Sequence, residues 1–116
     1  MAASSLLFVY GSLKRGFAHH ELMAAACFLR ETETERGYCL VILGDYAALA
    51  ETGDGSVSGE LYRVSGEHLA RLDEFEGADY SRRAVRLRGE DAAEAYFANV
   101  SALGLVRYPG KSWDRR

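Results

Sequence analysis

A glutamate at the end of a predicted amphipathic helix is the strongest candidate for chemistry in this sequence. Within residues 66–76, Leu69, Leu72 and Phe75 recur at helical spacing. At ~100° per residue these three side chains span an arc of roughly 120°. Glu76 follows Leu69 by seven positions and so falls inside that arc, about 20° from Leu69. The spacing therefore predicts that the Glu76 carboxylate lies on the buried face of the helix.

This position predicts a carboxyl group that holds its proton close to neutral pH. Burial disfavours the charged form, and the negative end of the helix dipole in the last turn does the same, so both effects raise the pKa of Glu76. A carboxylate whose pKa lies near the working pH is an efficient general base. The alternative is that the helix frays and turns Glu76 toward water, since helix ends vary by a residue or two.

A second candidate is the turn after the first apolar run. Tyr10, Gly11, Ser12 and Leu13 lie at the end of that run and just beyond it. Gly11 allows the backbone to turn sharply or to approach a ligand closely. Successive amides in such a turn can form an anion-binding nest, which suits a substrate carboxylate. The stretch is neither a Walker A loop nor a GxGxxG fingerprint, and the plainer alternative is an ordinary turn.

The other polar residues indicate no metal site. His19 and His20 are adjacent, so they cannot share one helix face, and we expect both at the surface. No second cluster of ligands accompanies them. Cys27 and Cys39 are too few and too far apart for a zinc site, and they are expected to be buried free thiols. We therefore predict a site without metal.

The elements that must position these residues follow from apolar patterning and from glycine punctuation. Strands are predicted at residues 6–10, 27–35, 38–43, 57–64, 80–87 and 93–100, and helices at 19–26 and 66–76. The first strand is expected to be buried on both faces, and the residues from Gly104 onward are expected to be irregular. Strands do not alternate strictly with helices, which disfavours a doubly wound sheet. We predict one small α+β domain, residues 1–116, with a mixed, curled or barrel-like sheet of about six strands and two helices.

Composition excludes several classes of partner. The chain has 116 residues with 14 Lys and Arg against 17 Asp and Glu, a net charge of −3. Nucleic-acid binding is not expected, because it needs concentrated positive charge. The tyrosines at 38, 46, 62, 80 and 96 are interpreted as core-edge aromatics, since an RNA-stacking sheet needs basic flanks. No apolar run approaches the ~20 residues of a membrane span, and no signal-peptide pattern opens the chain. These features predict a cytoplasmic protein with no membrane partner, and they leave the oligomeric state open, a monomer included.

Two segments of the chain resemble the gamma-glutamylcyclotransferase-like family. Residues 8–16 read FVYGSLKRG, which resembles the family's opening motif. Residues 59–64 read GELYRV, followed by LDEFEG at 72–77 and YSR at 80–82, and this series resembles its central motif. The order and spacing also fit, over about residues 6–97. The short chain is most similar to the gamma-glutamylamine cyclotransferase branch.

The resemblance implies a small α+β fold around a barrel-like mixed sheet and a cofactor-free reaction. In that reaction the substrate's own α-amino group cleaves a gamma-glutamyl amide, giving 5-oxoproline and a free amine. The resemblance makes Glu76 the general acid and base, the residue that the helical wheel singles out independently. It also implies a substrate-binding set of Tyr10, Gly11, Ser12, Leu13 and Tyr80, the first four acting through backbone amides.

The chain departs from the family pattern at two points. Family members commonly carry a proline after the aromatic residue of the third segment, whereas Tyr46 is followed by Ala47. The tail around Trp113 matches only loosely, in a region that often borders the leaving-group side, which leaves the amine unidentified. The alternatives are a non-catalytic module that binds a small ligand on the same fold, and a gamma-glutamyl deacylase that differs only in its amine.

Overall fold

The computed structural model describes residues 4–99 and 105–115, and these form a single mixed sheet with one α-helix. The strands are β1 (Ser4–Val9), β2 (Cys27–Glu33), β3 (Cys39–Leu43), β4 (Tyr46–Ala50), β5 (Ser58–Ser65), β6 (Tyr80–Leu87), β7 (Glu90–Ala98) and β8 (Val106–Arg107). The helix is α1 (Gly66–Glu76), and short 3-10 turns lie at His20–Met23 and Gly77–Asp79. The predicted α+β class with a curled mixed sheet is confirmed.

The sheet runs in the order β2-β5-β1-β7-β4-β3-β8, and β6 pairs with β7 off this path. β7 lies parallel to both β1 and β4, whereas the other pairs are antiparallel. Two hairpins, β3–β4 and β6–β7, turn at Gly44 and Gly89, both with positive φ. The parallel pairing brings the end of β1 beside β4 and β7, where the site lies.

β1 is the buried centre of the sheet, as its continuous apolar run predicts. Phe8 packs into one hydrophobic cluster, together with Leu49, Phe97 and Trp113. Leu7 and Val9 point the other way into a second cluster that receives the apolar stripe of α1. Because both faces of β1 are covered, the turn that follows it has a rigid base.

The close approach between β1 and β5 requires a glycine at position 59. A Cβ built there would lie 2.3 Å from the carbonyl oxygen of Val9 and 2.8 Å from the ring of Phe8. Neither the backbone nor a buried ring can move away cheaply. Gly59, at the start of the GELYRV segment, therefore sets the spacing of the two strands that underlie the Gly11 turn.

α1 begins and ends where its sequence indicates. The Ser65 side chain caps the helix by accepting a hydrogen bond from the His68 amide at 3.1 Å. Leu69 and Leu72 are buried, so the helix packs one stripe against the sheet. Gly77 terminates it with φ 70°, a conformation that suits glycine. The helix extends through Glu76, so the fraying alternative does not occur.

Several predicted elements need correction. The described residues contain eight strands rather than six, because β4 and β8 were missed. The predicted helix at 19–26 is only the 3-10 turn His20–Met23, in which Met23 alone is buried. The predicted strand at 93–100 is β7, which begins earlier and ends at Ala98, and Val100 lies outside the described residues, as does Gly104.

Two side chains expected in the core are exposed. Cys27 is exposed on the edge strand β2, whereas Cys39 is buried as expected, and both are free thiols. Phe75 is 45% exposed, although the helical stripe predicted its burial. Phe75 lines a cavity next to the end of α1 instead of entering the core. In the part of the chain that the structure describes, no helix is long and apolar enough to span a membrane.

Candidate active site

A small cavity lies between the turn after β1 and the last turn of α1. Its volume is about 190 Å³, below the roughly 300–1,000 Å³ of pockets that enclose drug-sized ligands. The volume suits an amino-acid-sized molecule. Its lining consists of Phe8, Val9, Tyr10, Gly11, Ser12, Leu13, His19, Tyr46, Ala47, Phe75, Glu76, Tyr80 and Tyr96. The structure thus brings together all six residues that the sequence analysis placed in a site.

Glu76 is the acidic residue of this cavity. It is partly buried, and burial raises the pKa of its carboxyl group to about 7. Among the described residues, no cation and no hydrogen-bond donor contacts it. A carboxylate in this setting exchanges a proton near neutral pH, which is the property that a general base needs.

Three tyrosines surround Glu76 and stay protonated. Burial raises the pKa of Tyr10, Tyr80 and Tyr96 well above the usual range, and the nearby Glu76 charge adds to each shift. Two of these hydroxyls donate hydrogen bonds to backbone carbonyls: Tyr10 to that of Tyr96 at 2.6 Å and Tyr80 to that of Ala47 at 3.0 Å. The tyrosines therefore shape the cavity, and Glu76 is its carboxyl group with a pKa near neutral.

The turn after β1 offers backbone amides to the cavity. Lys14 closes the turn by donating its amide hydrogen to the Gly11 carbonyl at 3.1 Å. Within the described residues, the amides of Ser12 and Leu13 have no acceptor. Unpaired amides at the edge of a cavity are suited to hold a carboxylate or a developing oxyanion. Tyr10 is buried in the core, so its contribution to such a site comes from its backbone.

Gly11 is not required by the fold of the turn, which corrects one expectation. Its φ is not positive. A Cβ there would meet Trp113 at 3.9 Å and Ala47 at 4.0 Å, which is ordinary van der Waals contact. A side chain is thus compatible with the turn itself. The remaining reason for glycine is the space that a ligand needs beside the backbone.

The sequence analysis missed His19, Tyr46 and Phe75 as cavity residues. His19 was expected at the surface, but its Nδ1 lies 3.0 Å from the Ser12 Oγ. Its ring packs against Tyr46 and Phe75, at centroid distances of 5.3 and 5.0 Å. They come from a loop, a missed strand and a helix end. Phe75 belongs to the apolar stripe of the helix, which predicted burial in the core, and no pattern in the sequence marks His19 or Tyr46.

An ion pair fixes the helix that carries Glu76. Arg82 on β6 donates two hydrogen bonds to the Asp73 carboxylate, at 2.9 and 3.0 Å. Asp73 also accepts a hydrogen bond from Tyr96 on β7 at 2.7 Å. These bonds lower the pKa of Asp73, and the pairing with Arg82 is the main cause. The last turn of α1 is therefore held against two strands, one helical turn before Glu76.

A larger and more open cleft lies behind the Gly11 turn, beside the tail. Its volume is about 660 Å³. Its buried charged side chains are hydrogen-bonded within the fold. Glu60 accepts hydrogen bonds from Arg15 and Tyr62, and the Lys14 ammonium donates to the Trp113 carbonyl at 2.8 Å. Trp113 is buried there and does not line the small cavity, so the tail supports the turn from behind.

No cluster of three or more His, Cys, Asp or Glu side chains that could hold a metal ion occurs between residues 4 and 99 or between 105 and 115.

Comparisons with known proteins all indicate the same family for this chain. A family model described as gamma-glutamyl cyclotransferase, AIG2-like, matches residues 7–115. A candidate gamma-glutamylcyclotransferase of Arabidopsis thaliana is 42% identical over 99 residues, covering 74% of this chain and 52% of that protein. The gamma-glutamylaminecyclotransferase of Rattus norvegicus is 38% identical over 93 residues, covering 71% and 62% respectively. The chain thus spans between half and two thirds of these relatives.

The fold also has a close structural counterpart. The crystal structure of an AIG2-like protein from Mus musculus matches with a TM-score of 0.81 and 29% sequence identity. The match covers 96% of this chain and 88% of that one.

Proposed function

The chain belongs to the AIG2-like gamma-glutamyl cyclotransferase family, and we propose that it cleaves a gamma-glutamyl amine to 5-oxoproline and a free amine. The observation that carries this proposal is the partly buried Glu76, with a pKa of about 7 and no partner among the described residues, in an amino-acid-sized cavity. The name of the rat relative supports an amine as the leaving group, although other relatives carry only the general family name. A cytoplasmic setting is part of the proposal, since free cysteines fit a reducing compartment.

The nucleophile in this reaction belongs to the substrate. Its α-amino nitrogen forms a bond to the gamma-carbonyl carbon, closing a five-membered ring, and the bond from that carbon to the amine nitrogen breaks. No water is consumed. Because both reacting groups are in one molecule, the protein has to fold the substrate into a reactive shape. Holding the two atoms in contact supplies at most on the order of 7–11 kcal/mol of the barrier.

Glu76 moves the protons of this mechanism. As a carboxylate it takes a proton from the substrate ammonium, which frees the nitrogen lone pair for attack. It then gives that proton to the departing amine. The ring nitrogen releases a second proton as the lactam forms, and this proton also leaves on the amine, which departs as an ammonium while the carboxylate is restored. The amides of Ser12 and Leu13 hold either the substrate α-carboxylate or the oxyanion that develops on the gamma carbonyl. Neither step needs another reactant.

The test is release of 5-oxoproline, followed by mass spectrometry over a panel of gamma-glutamyl amines. Glu76→Gln keeps the shape of the side chain and removes the base, so we expect a rate about 10²–10⁴ lower. Glu74→Gln is the matched control, because Glu74 is exposed on the same helix and lies outside the cavity. An unchanged rate in Glu76→Gln would remove Glu76 from the mechanism.

The same experiment separates the enzyme from a binding module. A protein that binds gamma-glutamyl ligands tightly and releases no 5-oxoproline from any member of the panel would instead be a non-catalytic module on this fold.

A further inference from the structure

Three aromatic rings form a wall at the mouth of the cavity. The rings of Tyr46, His19 and Phe75 stand in series, with centroids 5.3 and 5.0 Å apart. Tyr46 is 42% exposed and Phe75 45% exposed. Large aromatic side chains in a row, open to solvent beside a cavity, present an apolar surface to whatever enters it. We call these three residues the aromatic rim.

The aromatic rim lies directly beside the reacting groups. Phe75 is the residue before Glu76, and His19 contacts the Ser12 hydroxyl in the turn. Tyr46 begins β4, whose next residue, Ala47, accepts the Tyr80 hydroxyl hydrogen bond inside the cavity. On the proposed function, the glutamyl part is held at the Ser12 and Leu13 amides. The amine part of the substrate then extends past Glu76 toward the rim.

The charges of the cavity decide which amine fits. Its described lining contains no lysine, arginine or aspartate, and its one carboxylate is that of Glu76. An amine that carries its own carboxylate, as an amino acid does, would meet no lysine or arginine and would be exposed to the Glu76 charge. An amine that carries an aromatic ring would stack against Phe75 and Tyr46.

We propose that the aromatic rim is the leaving-amine subsite and that it selects gamma-glutamyl amides of arylalkyl amines over those of amino acids. The inference rests on the proposed function and names the substrate class of the same site. The tail around Trp113 takes no part in this selection, because Trp113 is buried behind the turn.

The experiment compares kcat/KM for 5-oxoproline release from three synthetic substrates: gamma-glutamyl phenethylamide, gamma-glutamyl methylamide and the isopeptide epsilon-(gamma-glutamyl)lysine. We expect the phenethylamide to be the best of the three. Phe75→Ala and Tyr46→Ala should each lower its kcat/KM about three- to tenfold, the effect of one lost aromatic contact. The methylamide cannot reach the rim, so its kcat/KM should change less than twofold.

Phe28→Ala is the matched control, since Phe28 is a partly exposed aromatic on β2 that lies outside the cavity. This substitution should leave kcat/KM unchanged for all three substrates. Phe75→Leu keeps an apolar side chain next to Glu76, so a selective loss of the phenethylamide in that variant also supports the rim. The inference is overturned if the lysine isopeptide has the highest kcat/KM of the three substrates. It is also overturned if Phe75→Ala and Phe75→Leu lower kcat/KM equally for all three. Either result leaves the proposed function intact. Absence of 5-oxoproline from all three substrates counts against the proposed function itself.

Discussion

Two carboxylates three residues apart on α1 have opposite environments. Asp73 faces Arg82 and the Tyr96 hydroxyl, and the pairing with Arg82 lowers its pKa. Glu76 faces the cavity, where burial raises its pKa to about 7 and no residue that the structure describes pairs with it. Both residues lie in the same LDEFE segment, so the neighbouring sequence does not predict which of the two carboxyl groups has the raised pKa. The difference comes from what the sheet places opposite each one.

This contrast indicates that Asp73 and Glu76 are suited to different roles, although they lie within one helical turn. An ion-paired carboxylate is already stabilised in its charged form, so it resists protonation and is suited to hold structure. A carboxylate without a partner is destabilised when charged, so it is suited to accept a proton. Three predictions test this difference between Asp73 and Glu76, in decreasing order of expected effect.

The largest effect is the pH dependence of kcat/KM. If Glu76 is the base, activity requires its deprotonated form, and the acid limb of the profile has its midpoint near the pKa of about 7. At pH 5 the activity should be about one hundredfold below the plateau, since each pH unit below the midpoint costs a factor of ten. Asp73 cannot produce this limb because its pKa lies below 3.8.

The measurement is 5-oxoproline release between pH 4.5 and 8.5 in the unaltered protein and in Glu74→Gln, which should share the profile. A midpoint near the ordinary glutamate value of 4.5 would mean that a different group controls the reaction.

The second effect is on stability. Because the folded-state pKa of Glu76 is raised from 4.5 to about 7, its protonated form favours folding below pH 4.5, and this contribution is lost as the pH rises through 7. At 1.36 kcal/mol per pKa unit, the ionised group costs at most about 3 kcal/mol above pH 7. Glu76→Gln removes this cost, so the variant should be about 1–3 kcal/mol more stable at pH 8.

Urea denaturation at pH 8 and at pH 4.5 tests this expectation, because the stability gain should nearly vanish at the lower pH. A gain of the same size at both values would point to packing rather than to charge. The Asp73 contribution has the opposite sign: it is present above 3.8 and is lost as the pH falls through its lowered pKa.

The smallest effect is expected for Asp73→Asn. The Asp73 side chain is 41% exposed, so solvent screening limits the loss of stability to about 1 kcal/mol. The helix is then held less firmly against β6 and β7, and we expect kcat to fall about three- to tenfold from misplacement of Glu76. The acid-limb midpoint should stay near 7, which distinguishes a positioning residue from the base.

Glu94→Gln is the matched control for this variant. Glu94 also binds Arg82, but it lies on β7 and makes no contact with α1 through that bond. Loss of kcat in Asp73→Asn with kcat retained in Glu94→Gln supports the positioning role. An equal loss in both variants assigns the effect to Arg82 and the sheet.

The patterns that were easiest to read in the sequence were those with a strong local physical cause. The apolar run of β1, the Ser65 cap and the Gly77 stop each act within a few residues, and the structure contains all three. β4 was missed because its sequence, YAALA, is rich in alanine, which has low strand propensity and does not alternate in polarity. Its place between β7 and β3 comes from tertiary packing.

Phe75 and His19 show the limit of periodic patterns. The helical stripe places Phe75 beside Leu72, yet Phe75 is exposed and lines the cavity whereas Leu72 is buried in the core. His19 lies in a loop whose course no pattern predicts. Its contacts with Ser12, Tyr46 and Phe75 arise only when three distant segments meet.

The class of fold, the helix that carries Glu76 and the face on which that residue lies can be predicted from the sequence alone, because each follows from periods and caps within one element. Three further facts come from the packing of the described residues: none of them pairs with the Glu76 carboxylate, Arg82 lies opposite Asp73 instead, and an aromatic rim stands at the cavity mouth. Burial and charge pairing depend on residues far apart in the chain, and strand order alone brings them together.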